Sequence, residues 1–160
     1  MKGIFLSLGS NIGERAGNIA QAIAELPEHG VRVVGRYSLY ETEPVEFLAQ
    51  GRFLNCVVEV ETELEPAELM RALLDIERSM GRERVTPKGP RIIDMDILLF
   101  GSRVVREADL EIPHPRMAER RFVLVPLVEI APAVVHPVLK KTVAELLAET
   151  TDRSEVRLFS

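Results

Sequence analysis

The apolar residues of this 160-residue chain change period along its length, and that change limits the fold more than any single motif. Residues 3–8 (GIFLSL) read as a strand closed by Gly9-Ser10-Asn11. Ile19, Ala22, Ile23 and Leu26 then recur at helical spacing and predict a helix over 14–26. Residues 31–40 (VRVVGRYSLY) return to strand character, with an irregularity at Gly35, before Thr42-Glu43-Pro44 opens a loop to Gly51. Residues 53–62 (FLNCVVEVET) alternate: Leu54, Cys56, Val58 and Val60 face one way, Phe53, Asn55, Val57, Glu59 and Glu61 the other. Pro66 starts a helix over 66–80 with the stripe Leu69, Leu73, Ile76 and Met80, stopped by Gly81. A last long strand follows at 92–100, with a hairpin through Gly101-Ser102 into 103–106. The order β-α-β-β-α-β predicts an α+β, ferredoxin-like antiparallel sheet with helices on one face and a C-terminal extension. In the extension, Pro126 predicts a short helix entered near that proline within 121–131, and Thr142 caps an amphipathic helix over 142–149.

Nothing in the chain marks a second domain: there is no repeat and no low-complexity linker, so residues 1–160 are expected to form one domain. The net charge of −5 argues against a nucleic-acid or membrane surface. No apolar run reaches the ~20 residues of a membrane span, and the start MKGIFLSLGS reads as a strand rather than a leader. Cys56 is the sole cysteine, which excludes an internal disulfide and a multi-cysteine metal site and leaves core packing as its role. No coiled coil or self-complementary strip is visible. The expected protein is a cytoplasmic monomer acting on small molecules.

The strand 92–100 sits in GPRIIDMDILLFG (89–101), where Asp94 and Asp96 interrupt an apolar run. A period of two places both on one face with Ile92, Leu98 and Phe100, and puts Ile93, Met95, Ile97 and Leu99 toward the helices. Paired carboxylates on the face without helices are costly if buried and uncompensated. They suit a hard cation that takes one or two carboxylates together with substrate phosphates. The loop before them holds Arg82, Arg84, Lys88 and Arg91, a local positive cluster in an acidic protein. Arginine forks match phosphate oxygens. A solvated strand face beside an ordinary basic loop is the plain alternative for either feature alone. Together they point to a metal-bound nucleotide under a closing lid.

These residues resemble a known family. GPRIIDMDILLFG, LGSNIG at 8–13, Phe53-Leu54-Asn55 and PHPRMAERRFVLVPLVEIAP at 113–132 resemble 6-hydroxymethyl-7,8-dihydropterin pyrophosphokinase, an enzyme family of folate synthesis. The resemblance runs from about residue 4 to residue 149. It implies a ferredoxin-like fold and transfer of pyrophosphate from ATP to the pterin hydroxymethyl group, with release of AMP and two magnesium ions taking part. It implies Asp94 and Asp96 as metal ligands, and Arg82 and Arg91 as catalytic phosphate-holding residues. Glu77, Arg84, Ile97, His114 and Arg120 would contact ATP. Thr42, Pro44, Val45, Phe53, Asn55 and Phe122 would line the pterin pocket. Chemistry agrees in part: a flat heteroaromatic ring suits phenylalanine faces and an amide that both donates and accepts. Glu77 flanks the stripe of its helix, where a solvated glutamate is the plain reading. Lys88, Pro115, Glu43, Asp109 and Glu111 depart from residues common in the family. A different two-metal nucleotidyl transferase or cyclase, and a ligand-binding domain without catalysis, are the rival readings. The first would release pyrophosphate; the second would not need the aspartates.

Overall fold

The computed structural model describes residues 3–42, 51–81 and 92–159. The main sheet is antiparallel and holds β1 (Ile4–Ser10), β2 (Val31–Val34), β3 (Tyr40–Thr42), β4 (Phe53–Thr62), β5 (Asp94–Phe100) and β8 (Val156–Leu158). Its order is β5-β1-β4-β3-β8, with β2 also on β4. The helices are α1 (Arg15–Glu25), α2 (Pro66–Ser79), α3 (Arg121–Ile130) and α4 (Val143–Glu149); β6 (Val105–Glu107) and β7 (Leu110–Ile112) pair only with each other.

The first face of the sheet carries Leu6, Leu8, Leu54, Cys56, Val58, Met95 and Ile97, packed with Ile19 and Ala22 of α1 and Leu69, Leu73 and Ile76 of α2. Those stripes follow the expected helical spacing, and α2 opens with Pro66 behind a reciprocal cap between Glu65 and Glu68. Burial pushes the Cys56 thiol up to about 12, so it stays a neutral core group.

Several sequence expectations are corrected. Helices are not confined to one face: on the second, Phe5, Val57, Leu98 and Leu99 are covered by Met117, Val123, Leu124 and Leu127, with Val143 and Leu146 of α4. β1 does not close at Gly9 but continues through it to Ser10. The strand expected over 31–40 breaks where Gly35 takes φ +72°. β2 therefore pairs with residues 59–62 of β4, and β3 with residues 53–55. Residues 103–106 do not return along β5, because β6 takes β7 as its partner. α3 begins five residues before Pro126 and runs through it, not from it. Proline has no N–H for the Phe122 carbonyl, so the helical ladder omits that bond.

The faces of β5 also differ from strict alternation. Leu6 pairs with Ile97 and Phe5 with Leu99, which leaves Leu98 as an extra residue in a bulge. Beyond the bulge the parity reverses. Phe100 joins the α1/α2 core and Leu99 faces α3, opposite to the period-two expectation. Asp94 and Asp96 lie before the bulge and keep the face assigned from sequence.

Candidate functional site

The ladders place the candidate residues in rows across the second face. Asn55 of β4 is opposite Gly9 of β1, and Gly9 is opposite Asp94 of β5. The next row runs Val57, Ser7, Asp96. On the other flank Thr42 of β3 is opposite Phe53. Neighbouring strands are ~4.8 Å apart, so Asn55 and Asp94 face each other across roughly 10 Å with only a glycine between them. A Cβ on Gly9 would lie 2.7 Å from Asn55 Nδ2. The Asn55 amide therefore packs directly on the Gly9 main chain, in space that a side chain there would take.

Asn55 is held in this pose. Thr42 Oγ1 donates to Asn55 Oδ1 at 2.5 Å, and both side chains are buried. The bond turns the amide nitrogen toward Gly9. Phe53 is half-buried two residues before Asn55 on the same face. Phe122, half-buried in the first turn of α3, packs on the cluster that contains Val57. The Arg120 guanidinium lies 5.5 Å from the Phe122 ring centroid, within cation–π range.

His114 follows β7 beside the bulge of β5, where its N–H donates to the Leu98 carbonyl at 2.9 Å. Its ring Nδ1 accepts from the Arg116 N–H at 3.1 Å. The neutral ring thus carries its proton on Nε2. Burial above all, then the charges of Arg120 and Arg116, outweigh the nearby Asp94 and lower the imidazole to about 4. At neutral pH His114 is an uncharged donor, which favours phosphate contact over proton shuttling.

Asp94 and Asp96 are half-buried and share the face of Asn55. Two carboxylates one pleat repeat apart, ~7 Å along the strand, are hard oxygen donors suited to magnesium. Among the described residues no cluster of three or more His, Cys, Asp or Glu side chains is placed to hold a metal.

Glu77 is buried to 3% exposure, unlike the solvated glutamate of the plain sequence reading. Its Oε2 accepts from the Met95 N–H at 2.7 Å, so it grips β5 between the two aspartates from the helix side. The Ile97 side chain is in the α1/α2 core at 3% exposure, which restricts any ligand contact there to its main chain. Arg82, Arg84, Arg91, Pro44 and Val45 lie outside the described residues.

Two contributors escaped the sequence reading. Gly9 was visible as a glycine following a strand pattern, a signal that also fits a strand end. Arg121 had no assigned role. Its N–H donates to Asp152 Oδ2 at 2.8 Å and its Nε to the Ser154 carbonyl at 3.1 Å.

Residues 5–132 match the family model of 7,8-dihydro-6-hydroxymethylpterin-pyrophosphokinase (HPPK). The 2-amino-4-hydroxy-6-hydroxymethyldihydropteridine pyrophosphokinase of Bacillus subtilis is 42% identical over 97% of this chain and 89% of its own. That of Aquifex aeolicus is 39% identical over 94% of each. The folic acid synthesis protein fol1 of Pneumocystis carinii is 41% identical over 93% of this chain, which spans only 20% of that longer protein. Among solved structures, wild-type HPPK-DHPS of Plasmodium falciparum superposes with a TM-score of 0.73 at 18% identity, over 93% of this chain and 45% of that one. At that identity the likeness concerns the fold. With matches of this extent in sequence, the chain belongs to the 7,8-dihydro-6-hydroxymethylpterin-pyrophosphokinase family.

Proposed function

We propose that this chain, as a single domain over residues 1–160, transfers pyrophosphate from ATP to the hydroxymethyl oxygen of 6-hydroxymethyl-7,8-dihydropterin and releases AMP, a step of folate biosynthesis. The observation that supports the reading is the row Asn55–Gly9–Asp94, which sets a buried, oriented amide on the same sheet face as a carboxylate pair. The flat pterin lies on this face beside the Asn55 amide. Asn55 reads its polar edge through an amide that Thr42 orients. Phe53 and Phe122 supply ring faces, and Pro44 and Val45 are assigned to the pterin by the family motif alone. This orientation points the hydroxymethyl arm toward Asp94 and Asp96.

Asp94 and Asp96 hold magnesium, two ions on the family pattern, and the metal when bound supplies positive charge against the phosphate oxygens. The neutral His114 donates from Nε2 to a phosphate oxygen, and Arg120 adds a fixed positive charge. Arg82, Arg84 and Arg91 are assigned to the triphosphate by their charge and by the family motif. Glu77 supports the nucleotide side by holding the main chain of β5. Ile97 contributes its main chain.

The pterin hydroxyl attacks the β-phosphorus in line. A new oxygen–phosphorus bond forms, and the bond from the β-phosphorus to the α,β-bridging oxygen breaks. AMP departs with that electron pair, and the hydroxyl proton is released to solvent. Positioning and charge neutralisation are the main demands of such a transfer. No helix among the described residues is long and apolar enough to cross a membrane. A cytoplasmic monomer, with no nucleic-acid or membrane partner, completes the proposal.

Product analysis tests it. ATP, magnesium and 6-hydroxymethyl-7,8-dihydropterin should yield AMP and pterin diphosphate one for one, and only with all three present. Free pyrophosphate in place of AMP would move the chain to the nucleotidyl transferases.

A further inference from the structure

The chain's last segment meets the proposed pterin pocket from outside. β8 adds to the edge of β3 with Val156 opposite Thr42, Arg157 opposite Glu41 and Leu158 opposite Tyr40. Arg157 Nη2 donates to Glu41 Oε1 at 3.1 Å, and Glu41 also pairs with Arg15 at 2.9 Å. Glu155 forms an ion pair of 2.9 Å with Arg52. Asp152 accepts the Arg121 N–H on one carboxylate oxygen, and the Ser154 N–H and hydroxyl at 2.9 and 2.6 Å on the other. Each anchor adjoins a proposed pocket residue in the chain. Glu41 precedes Thr42, Arg52 precedes Phe53, and Arg121 stands between Arg120 and Phe122.

Thr42 and Phe53 form one wall of that pocket and Phe122 the other. The two walls come from different units, the β3–β4 pair and the start of α3. Residues 152–157 touch both. Apolar burial does not explain the segment's path, since Leu158 is 65% exposed and Phe159 37%. Its directed contacts are hydrogen bonds and ion pairs.

We propose that residues 152–157 are a clamp that fixes the spacing of the two pocket walls, with Asp152 and Glu155 as positioning residues for pterin binding. The inference rests on the pterin pocket proposed above. Asp152 carries most of the effect, because it bonds a main-chain N–H at the base of α3. The Glu155–Arg52 pair is more exposed and adds less.

The test compares steady-state kinetics of the full chain with those of Asp152→Ala, Asp152→Asn, Glu155→Ala and, as a pocket control, Asn55→Ala, using 6-hydroxymethyl-7,8-dihydropterin and ATP. Loss of charge-assisted bonds in Asp152→Ala should raise the pterin KM about tenfold, leaving ATP KM and kcat within about twofold. Asp152→Asn, which keeps an acceptor for Ser154, should fall between the two, and Glu155→Ala should give a smaller rise in the same direction. Equal changes in both KM values, tracking a fall in Tm, would reduce the segment to general stability and overturn the clamp. An unchanged pterin KM in Asp152→Ala, with Asn55→Ala impaired, would overturn the clamp and leave the pocket standing. An unchanged pterin KM in Asn55→Ala would remove the pocket, and the clamp with it.

Discussion

Thr42 and Asn55 sit on adjacent strands and share one buried hydrogen bond, 2.5 Å from hydroxyl to amide oxygen. An asparagine amide can flip end for end, which would exchange donor and acceptor toward a ligand. The Thr42 hydroxyl, donating to Oδ1, pins the plane of the amide and leaves Nδ2 against Gly9.

Thr42→Val keeps the shape and deletes the bond. It leaves Asn55 Oδ1 without its donor at a buried site, a cost of about 1–3 kcal/mol in unfolding free energy. Pterin KM should rise about tenfold as the amide loses its fixed orientation, while ATP KM stays near wild type. Thr42→Ser, which retains the hydroxyl, should recover most of the loss. Denaturant titration and kinetics with each substrate varied in turn check both statements.

Gly9→Ala tests the close packing of Asn55 on Gly9. Gly9 is not among the glycines with positive φ, so alanine meets no backbone strain there. Only space opposes it, through the 2.7 Å approach to Asn55 Nδ2. The amide must move, and overpacking costs about 1–3 kcal/mol. The expected kinetic signature is again a raised pterin KM. A crystal structure of the variant should show Asn55 displaced from β1. An unmoved Asn55 with normal pterin binding would mean that Gly9 does not set the pose of the amide.

Much of this site was legible because alternation is a local property. The shared face of Asp94 and Asp96, and that of Phe53 and Asn55, need only the chain's own period of two. What failed depends on partners. The bulge at Leu98 exists only in the ladder with β1, so no count along β5 could place Leu99 and Phe100 correctly. Glu77 looks in sequence like any polar residue beside a helical stripe; the unpaired Met95 N–H of an edge strand is what draws it in. Cover for the second face came from α3 and α4, whose apolar residues were visible but whose docking surface was not. β8 is three residues long, too short to show a period.

Glu77→Leu should therefore be more damaging than a surface substitution. It strips the acceptor from a buried main-chain donor and should lower stability by about 1–3 kcal/mol. Glu77→Gln keeps an oxygen within reach and should recover much of this. Calorimetric binding of magnesium–ATP should weaken for leucine more than for glutamine, because the main chain between the aspartates loses its support. Equal binding by both variants would separate Glu77 from the aspartate site.

Asp94→Ala and Asp96→Ala should each lower kcat by about 1,000-fold, with far-ultraviolet circular dichroism unchanged, since charge stabilisation of the transferring group is the dominant demand. Both are half-buried at the strand face rather than part of the core, so folding should survive. A rate within tenfold of wild type for either variant would remove that carboxylate from the metal site.

The clamp also predicts a pH dependence. Burial alone would raise the Asp152 carboxyl, but the hydrogen bonds from Ser154 and the Arg121 N–H win, and hold it below its usual value of 3.8. A carboxylate that is a stronger acid when folded adds stability above its unfolded pKa and loses it as pH falls through the folded value. The Tm of wild type should exceed that of Asp152→Ala near pH 7, with the gap narrowing below about pH 4 as the carboxylate takes up its proton in both states. A gap that stays constant down to pH 2, or that widens in acid, would mean the ionised form of Asp152 does not hold the C-terminal segment against α3.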